Sequence, residues 1–350
     1  MDREAFAPSA FWSPTRTEAG LYPVIDRDQD EETWRRTVWG THESLITQMN
    51  DGATLPEDGP AEGDFSSSIS ALDVVFEKLN LLDLDPGHRV LHLGTASGYD
   101  SAVISERVGS GNLTTVEYDP ALAAWGETNL RAAGYTPTTI CGDGLEGWQP
   151  TAPYDRIIAT AAVRTISDAW RHQAADQAVI LVPFITSYAA GGILELTVDH
   201  NVACGRFVSS AFYMPARAHR PSRRLNPPTD SVKAASRISP AVVLERDWGQ
   251  DFVIGLHLPD VSQAKRGEGA ERQVQFWDAG GTSVTIVDYD HWWETGAVTV
   301  YGARNLWDEI VNAYSRWKYA GGPHFTRYGL TFDDDGSRLW LDHPANTVRA

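Results

Sequence analysis

The chain has 350 residues, 42% of them apolar, and a formal net charge of −18. That length holds one large domain or two, no run of 18 uncharged apolar residues marks a membrane span, and so acidic a chain is a poor ligand for nucleic acid. Only Cys141 and Cys204 are present, too few for a disulfide framework, and Met1-Asp2-Arg3-Glu4 lacks an apolar secretory core, so a cytoplasmic protein is expected.

Residues 1–63 read as an acidic N-terminal extension rich in turn formers, as in Asp26-Arg27-Asp28-Gln29-Asp30-Glu31-Glu32. The spacing of Trp34, Val38, Leu45 and Met49 predicts a helix over 32–49, and the Gly/Pro-rich segment 51–63 a loop. Ser70 is placed to cap a helix carrying Leu72, Val75, Phe76 and Leu79. Pro86-Gly87 then turns into an alternating series. Strands are expected to end at Leu93 and at Glu117 and to cover 138–141, 156–160 and 179–183. Helices are expected over 99–108, 120–133 (with Pro120 in the first turn) and 168–175. Such alternation predicts a doubly wound α/β domain with a parallel sheet and right-handed crossovers, here over 64–215. An antiparallel pair at 191–198 and 205–214 closes it.

A linker is expected at 216–230. Its basic stretch Arg217–Arg224, with Arg220, Arg223 and Arg224 around Pro221, reads first as a solvated charged segment and second as a contact for an acidic peptide. Residues 231–350 read as a smaller α+β module. Strands are expected at 241–244, 252–258, 274–277 and 284–289, a helix over 303–317, and a last strand pair at 326–332 and 338–341 joined by Asp333-Asp334-Asp335-Gly336.

The chemistry concentrates in the α/β series. The apolar run Val90-Leu91-His92-Leu93 passes at once into the small-residue turn Gly94-Thr95-Ala96-Ser97-Gly98-Tyr99, and a second apolar run ends in Glu117-Tyr118-Asp119. A Gly turn lets backbone approach a ligand closely, and a carboxylate at the end of the next strand can take both hydroxyls of a ribose. After the third strand, Gly142-Asp143-Gly144 falls on the same edge of the sheet, where Asp143 can accept an adenine amine or simply form a turn.

These segments, with Gly142-Asp143-Gly144-x-x-Gly147 and Ala152–Ala162, resemble the protein-L-isoaspartate O-methyltransferases over about residues 64–215. The resemblance implies a Rossmann-like S-adenosylmethionine-dependent methyltransferase domain, followed by the additional C-terminal α+β module. By the same resemblance Gly94, Thr95, Ala96, Gly98 and Tyr99 border the methionine part of the cofactor, Glu117 and Tyr118 the ribose side, and Asp143 and Gly144 the adenine. Ser68-Ile69-Ser70 falls on the family's substrate segment, with Ser70 as the active-site serine facing the carboxylate to be methylated. S-adenosylhomocysteine is the implied product, and the implied partner is a peptide or protein carrying Asp or isoAsp. No metal is expected. The chain departs from the pattern at His92 (usually Glu), Ala96 (usually Gly) and Leu72-Asp73 (usually Pro-His). Its C-terminal extension is similar to longer relatives that methylate an Asp in ribosomal peptide precursors, giving an ester that cyclises to aspartimide. Peptide tailoring is therefore expected ahead of general isoaspartyl repair, and a non-catalytic peptide-binding scaffold is the reading from another class.

Other features read as structural. Trp292, Trp293, Trp307 and Trp317 are expected in a core ahead of a peptide-binding platform, Asp333–Gly336 is a hairpin turn rather than a calcium loop, and Cys141 is a small buried thiol. His88 and His92 form no zinc-spaced set.

Overall fold

The computed structural model describes residues 1–220, 230–245 and 247–348. Residues 221–229 of the expected linker, including Arg223 and Arg224, lie outside the described residues. The chain divides into two units, one of residues 1–161, 166–182 and 195–203, the other of 162–165, 183–194 and 204–350.

The first unit opens with a small antiparallel sheet of order β2-β1-β3-β4, from β1 (Ala10–Trp12), β2 (Val24–Asp26), β3 (Leu45–Met49) and β4 (Phe65–Ile69). The helix expected over 32–49 is only α1 (Glu31–Val38), capped by Asp30 and ended at Trp39. Leu45 and Met49 instead lie in a strand whose two neighbours bury it, so that all but Thr47 are shielded. Ser70 does not cap the following helix. The serine run is strand β4, and α2 (Leu72–Leu82) begins after Ala71 with no side-chain cap.

The alternating series folds as its apolar pattern requires. It comprises β5 (Val90–Leu93), α3 (Tyr99–Val108), β6 (Leu113–Glu117), α4 (Pro120–Ala132), β7 (Thr138–Cys141), β8 (Tyr154–Ala159), α5 (Asp168–Gln173) and β9 (Ala174–Ile185). These strands pair in parallel in the order β7-β6-β5-β8-β9. Every residue of β5 and β6 is buried, as a strand covered by helices on both faces must be. The chain continues through β10 (Ala190–Asp199) and β11 (Val202–Ser210). A core of Phe6, Phe11, Trp34, Ile69, Val75, Tyr99 and Leu130 joins the N-terminal segment to α2, α3 and α4. Residues 1–63 are thus an integral layer of this unit.

The second unit contains a five-stranded antiparallel sheet of order β12-β16-β15-β14-β13. Its strands are β12 (Ser231–Ala234), β13 (Val261–Arg266), β14 (Gln273–Asp278), β15 (Val284–Asp288) and β16 (Val298–Tyr301). The strands expected at 241–244 and 252–258 are helices α6 (Pro240–Leu244) and α7 (Trp248–His257). Pro240 suits a first helical turn, and the Asp247 side chain caps α7 through the Gln250 N–H. The apolar run in α7 is buried almost all round, which hides its helical period. Helix α8 (Leu306–Tyr319) lays Leu306, Trp307, Ile310 and Tyr314 into the core with Phe276 and Val287. Trp307 is core, whereas Trp293 is 60% exposed. The last hairpin, β17 (Tyr328–Asp333) and β18 (Gly336–Leu341), turns at Asp333–Gly336 as expected. Among the described residues, no helix is long and apolar enough to cross a membrane.

Candidate functional site

The first unit gathers its chemistry at the carboxyl ends of β5, β6 and β7. The chain leaves β5 through Gly94, whose N–H still bonds Val116 O at 2.8 Å, and enters α3 at Gly98, φ +87°. A Cβ on Gly98 would meet Leu130 Cγ at 2.9 Å and Gly126 O at 3.0 Å, so the turn is wedged against α4 and only glycine fits. Ala96 does not have ordinary backbone angles. Its φ is +43°, a left-handed conformation that costs an L-residue roughly 1–2 kcal/mol. The Ala96 N–H donates to Glu117 Oε2 at 2.9 Å, which holds the strained residue in place. Thr95 is turned inward, its hydroxyl 2.7 Å from that of Thr115.

Glu117 ends β6 with its other oxygen accepting the Asp119 N–H at 3.0 Å, and it is 8% exposed. Burial raises its pKa, while the N–H bonds from Asp119 and Ala96 pull in the opposite direction. Each oxygen keeps a second acceptor position, the chemistry a pair of ribose hydroxyls would use. Tyr118, next along, is 54% exposed and offers a ring face to solvent.

The third strand brings Asp143 alongside. Cys141 pairs with Glu117, and the Gly142 N–H donates to Glu117 O at 2.9 Å. Cys141 is exposed, contrary to expectation, because β7 is an edge strand. Asp143 is exposed as well, and its Oδ1 accepts the Leu145 N–H at 2.9 Å, so it forms the turn and still presents a carboxylate. Gly144 is fixed from behind by the Trp170 indole, which donates to its carbonyl at 2.8 Å.

The serine segment expected to face the substrate is strand β4 and the residue after it. In β4, Ser68 pairs with Ile46, Ile69 is buried in the core, and Ser70 is partly exposed just past the strand end. A residue not anticipated from the sequence ties Ser70 to the turn. Arg3 donates from Nη2 to Ser70 O at 2.8 Å, and its guanidinium lies 4.7 Å from the Tyr99 ring centre. Arg3 is fully buried, and its Nε and Nη1 have no partner among the described residues. Asp73, which would repel an incoming carboxylate, is engaged with His42 Nδ1 at 2.8 Å.

Beneath the turn, the His92 ring sits in a hydroxyl cage of Ser101 (2.8 Å from Nδ1), Thr115 (3.2 Å from Nδ1) and Thr160 (3.4 Å from Nε2). The Thr160 hydroxyl donates to the Leu93 and Gly94 carbonyls, so it receives the His92 Nε2–H, and Nδ1 is the acceptor. Burial, aided by the Lys78 charge, pushes the His92 pKa down to about 3. Lys78 is itself buried beside Asp100, donates to Ala159 O at 2.8 Å, and has its pKa lowered to about 8 by that burial. Neither Lys78 nor Asp100 carries a sequence signal, since each is a lone charge inside an amphipathic helix.

Comparison with known proteins agrees with this geometry. A family model described as Protein-L-isoaspartate(D-aspartate) O-methyltransferase (PCMT) matches residues 43–202. The protein-L-isoaspartate O-methyltransferase of Staphylothermus marinus is 35% identical over 162 residues, covering 42% of this chain and 72% of that protein. That of Methanococcus maripaludis strain C7 is 41% identical over 144 residues, covering 41% and 67%. The relative from Ignicoccus hospitalis is 38% identical over 129 residues, and the match spans 61% of its length. A solved structure titled protein-L-isoaspartate O-methyltransferase superposes with a TM-score of 0.50 and 20% identity, covering 81% of this chain and 84% of that one. That likeness shows a shared fold: a Rossmann-like methyltransferase domain with additional C-terminal sheet and helix.

Proposed function

Because the chain belongs to the protein-L-isoaspartate O-methyltransferase family, we propose that it is an S-adenosylmethionine-dependent O-methyltransferase acting on the carboxylate of an Asp or isoAsp in a peptide. The observation that carries this reading is Glu117, bonded to Ala96 in the turn and adjoining Asp143, with Ser70 tied to the same turn through Arg3. Glu117 offers acceptors for the ribose with Tyr118 beside it, Asp143 and Gly144 flank the adenine, and Gly94, Thr95, Ala96, Gly98 and Tyr99 border the methionine portion. The residues fit the cofactor by chemistry. Glu117 retains acceptor positions at a strand end, and the wedged turn leaves backbone free to approach.

Bound S-adenosylmethionine supplies a sulfonium methyl that passes to a carboxylate oxygen, the C–S pair returning to sulfur to leave S-adenosylhomocysteine. The acceptor is already ionised at neutral pH, so the protein needs no general base. Its task is alignment. Ser70 Oγ holds one carboxylate oxygen by a single hydrogen bond and leaves the other as the nucleophile. More donors would stabilise the carboxylate and blunt it. The engagement of Asp73 with His42 turns a competing negative charge aside.

The substrate we favour is a ribosomal peptide precursor. The methyl ester of its Asp is attacked by the next backbone nitrogen, which expels methanol and closes an aspartimide. The resemblance of the C-terminal extension to that of longer relatives acting on such precursors supports this reading. General isoaspartyl repair is the second reading, supported by the names of the relatives and by a similarity that extends over 81% of this chain. Methyl transfer to a candidate precursor peptide, should the neighbouring genes encode one, compared with transfer to unrelated isoaspartyl peptides, separates the two. Preference for the precursor upholds tailoring; equal methylation of varied isoaspartyl peptides replaces it with repair. No calorimetric heat with millimolar S-adenosylhomocysteine would leave only a peptide-binding scaffold. Ser70→Ala is expected to lower kcat/KM for the peptide roughly 10- to 100-fold, the loss of one hydrogen bond to a charged group. Its affinity for S-adenosylhomocysteine should not change.

A further inference from the structure

The family model matches residues 43–202, and Arg3 lies outside that span. The segment that carries Arg3 is firmly held. Asp2 caps a short 3₁₀ turn, Arg3–Phe6, by accepting the Glu4 N–H at 3.0 Å. Glu4 Oε1 accepts from Arg35 Nε at 3.1 Å and from Trp39 Nε1 at 2.9 Å. Phe6 is buried with its ring edge-on to Tyr99, the two centres 5.8 Å apart.

This anchoring delivers a cation to a place without water. Arg3 is 0% exposed, and burying a guanidinium is costly unless its surroundings answer the charge. Three groups do so. The Tyr99 ring lies 4.7 Å away, Asp100 adds an opposite charge, and Ser70 O takes the Nη2 bond at 2.8 Å. Ser70 is the one that gains position. Strand β4 ends at Ile69 and α2 begins at Leu72, so the Ser70–Ala71 peptide belongs to neither element. Ala71, as the N-cap residue, adds no side-chain bond there. Pairing of Ile69 with Leu45 fixes the chain before Ser70, and the bond from Arg3 fixes the carbonyl after it. The direction in which Oγ leaves the backbone is then set. Tyr99 directly follows Gly98, so the same guanidinium also rests on the first residue after the wedged turn.

We infer that Arg3 is a positioning residue for methyl transfer, which holds Ser70 Oγ in register with the turn proposed to border the sulfonium. This role rests on the peptide-methyltransferase reading. Arg3 acts through Ser70 and touches no reacting atom. Transfer between sulfur and a carboxylate oxygen needs an in-line approach, so a displaced Ser70 costs turnover more than binding.

A double-mutant cycle on the full chain, pairing Arg3→Met with Ser70→Ala, tests it. Methionine fills the buried volume without a donor, and apolar replacement of a buried charge is often tolerated. Methyl transfer is followed to acetyl-Ala-Leu-isoAsp-Gly-Leu-amide, to its Asp isomer and to any candidate precursor peptide that neighbouring genes encode. Arg3→Met should lower kcat roughly tenfold or more, while peptide KM and S-adenosylhomocysteine affinity stay within about twofold of wild type. In the Ser70→Ala background the same substitution should cost less than about twofold, because the group it positions is gone. Arg3→Lys keeps a donor and should recover part of the rate. Full activity of Arg3→Met, or an equal loss in both backgrounds, overturns the inference. Should Arg3→Met melt early, the cycle is run with Arg3→Lys, and equal losses overturn it there too. Backbone hydrogen exchange needs no substrate. It should quicken over residues 65–73 in Arg3→Met while 113–117 keeps its wild-type rate, and unchanged exchange over 65–73 also overturns the inference. Wild type that binds no S-adenosylhomocysteine and methylates none of the peptides brings down the methyltransferase reading itself.

Discussion

The Ala96 N–H donates to Glu117 Oε2 at 2.9 Å while Ala96 sits at φ +43°. One carboxylate therefore serves two tasks. It holds a left-handed non-glycine residue in the turn, and in the proposed reading it also takes the ribose hydroxyls of the cofactor. Ala96→Gly removes the steric cost of the positive φ but adds freedom to the unfolded chain, and the two effects are each about 1 kcal/mol. The melting temperature is expected to stay level or rise by roughly 2 °C. S-adenosylhomocysteine affinity, read by calorimetry, should hold or improve. A fall of several degrees would mean that the methyl group is packed rather than merely tolerated.

Asp143 forms the turn and in the proposed reading also accepts the adenine amine, and two substitutions separate these roles. Its Oδ1 caps the turn through the Leu145 N–H, a contribution of about 1 kcal/mol. Its exposure leaves it able to accept the adenine amine. Asp143→Ala should lower S-adenosylhomocysteine affinity roughly tenfold or more, with only a small drop in melting temperature. Asp143→Asn keeps a cap acceptor and should recover the stability alone. Collapse of the melting curve in the alanine variant, with affinity per folded molecule unchanged, would assign Asp143 to the fold.

The parallel series was legible because uninterrupted apolar runs end at glycine turns, as Val90–Leu93 does at Gly94. The N-terminal sheet was not. Its first strands, Ala10–Trp12 and Val24–Asp26, are three residues each, too short to show alternation. Trp34, Val38, Leu45 and Met49 fall on a helical period by coincidence across a helix end. Helix α7 misleads in the opposite direction, since burial of Phe252, Val253, Ile254 and Leu256 erases the polar face that would reveal it. Glu117, Asp143 and the turn could be placed because strand ends in an open α/β sheet are positions with a chemical purpose. Arg3 could not, because an isolated arginine gives no sign in sequence that its guanidinium will be buried.

His92 gives the fold an acid-side limit. Its pKa is pushed to about 3 in the native state by burial, against about 6.5 when unfolded. Below pH 6.5 the unfolded chain binds a proton that the native chain refuses, so stability is complete above 6.5 and is lost as pH falls towards 3. The slope is roughly 1.4 kcal/mol per pH unit within that window. Urea midpoints at pH 7 and pH 5 measure it. His92→Gln should flatten this part of the profile, and a profile of equal slope in that variant would place the acid sensitivity elsewhere.

Gly126 lies in the interior of α4, where alanine normally stabilises a helix by about 1 kcal/mol. Here the sign should reverse. A Cβ at this position would come within 2.5 Å of the Ala96 carbonyl oxygen and 2.8 Å of Thr95 Cγ2. The backbone oxygen cannot rotate away as a flexible side chain would, and Ala96 is already held by Glu117 from the other side. Gly126→Ala must therefore push the turn away from α4 or bend the helix, at a cost of about 1–3 kcal/mol. A lower urea midpoint is expected, together with weaker S-adenosylhomocysteine binding, because the displaced residues are those proposed to border the methionine portion. A rise in midpoint with affinity unchanged would show that the close approach of turn and helix is not needed, and the wedge would no longer account for how this strained turn is positioned.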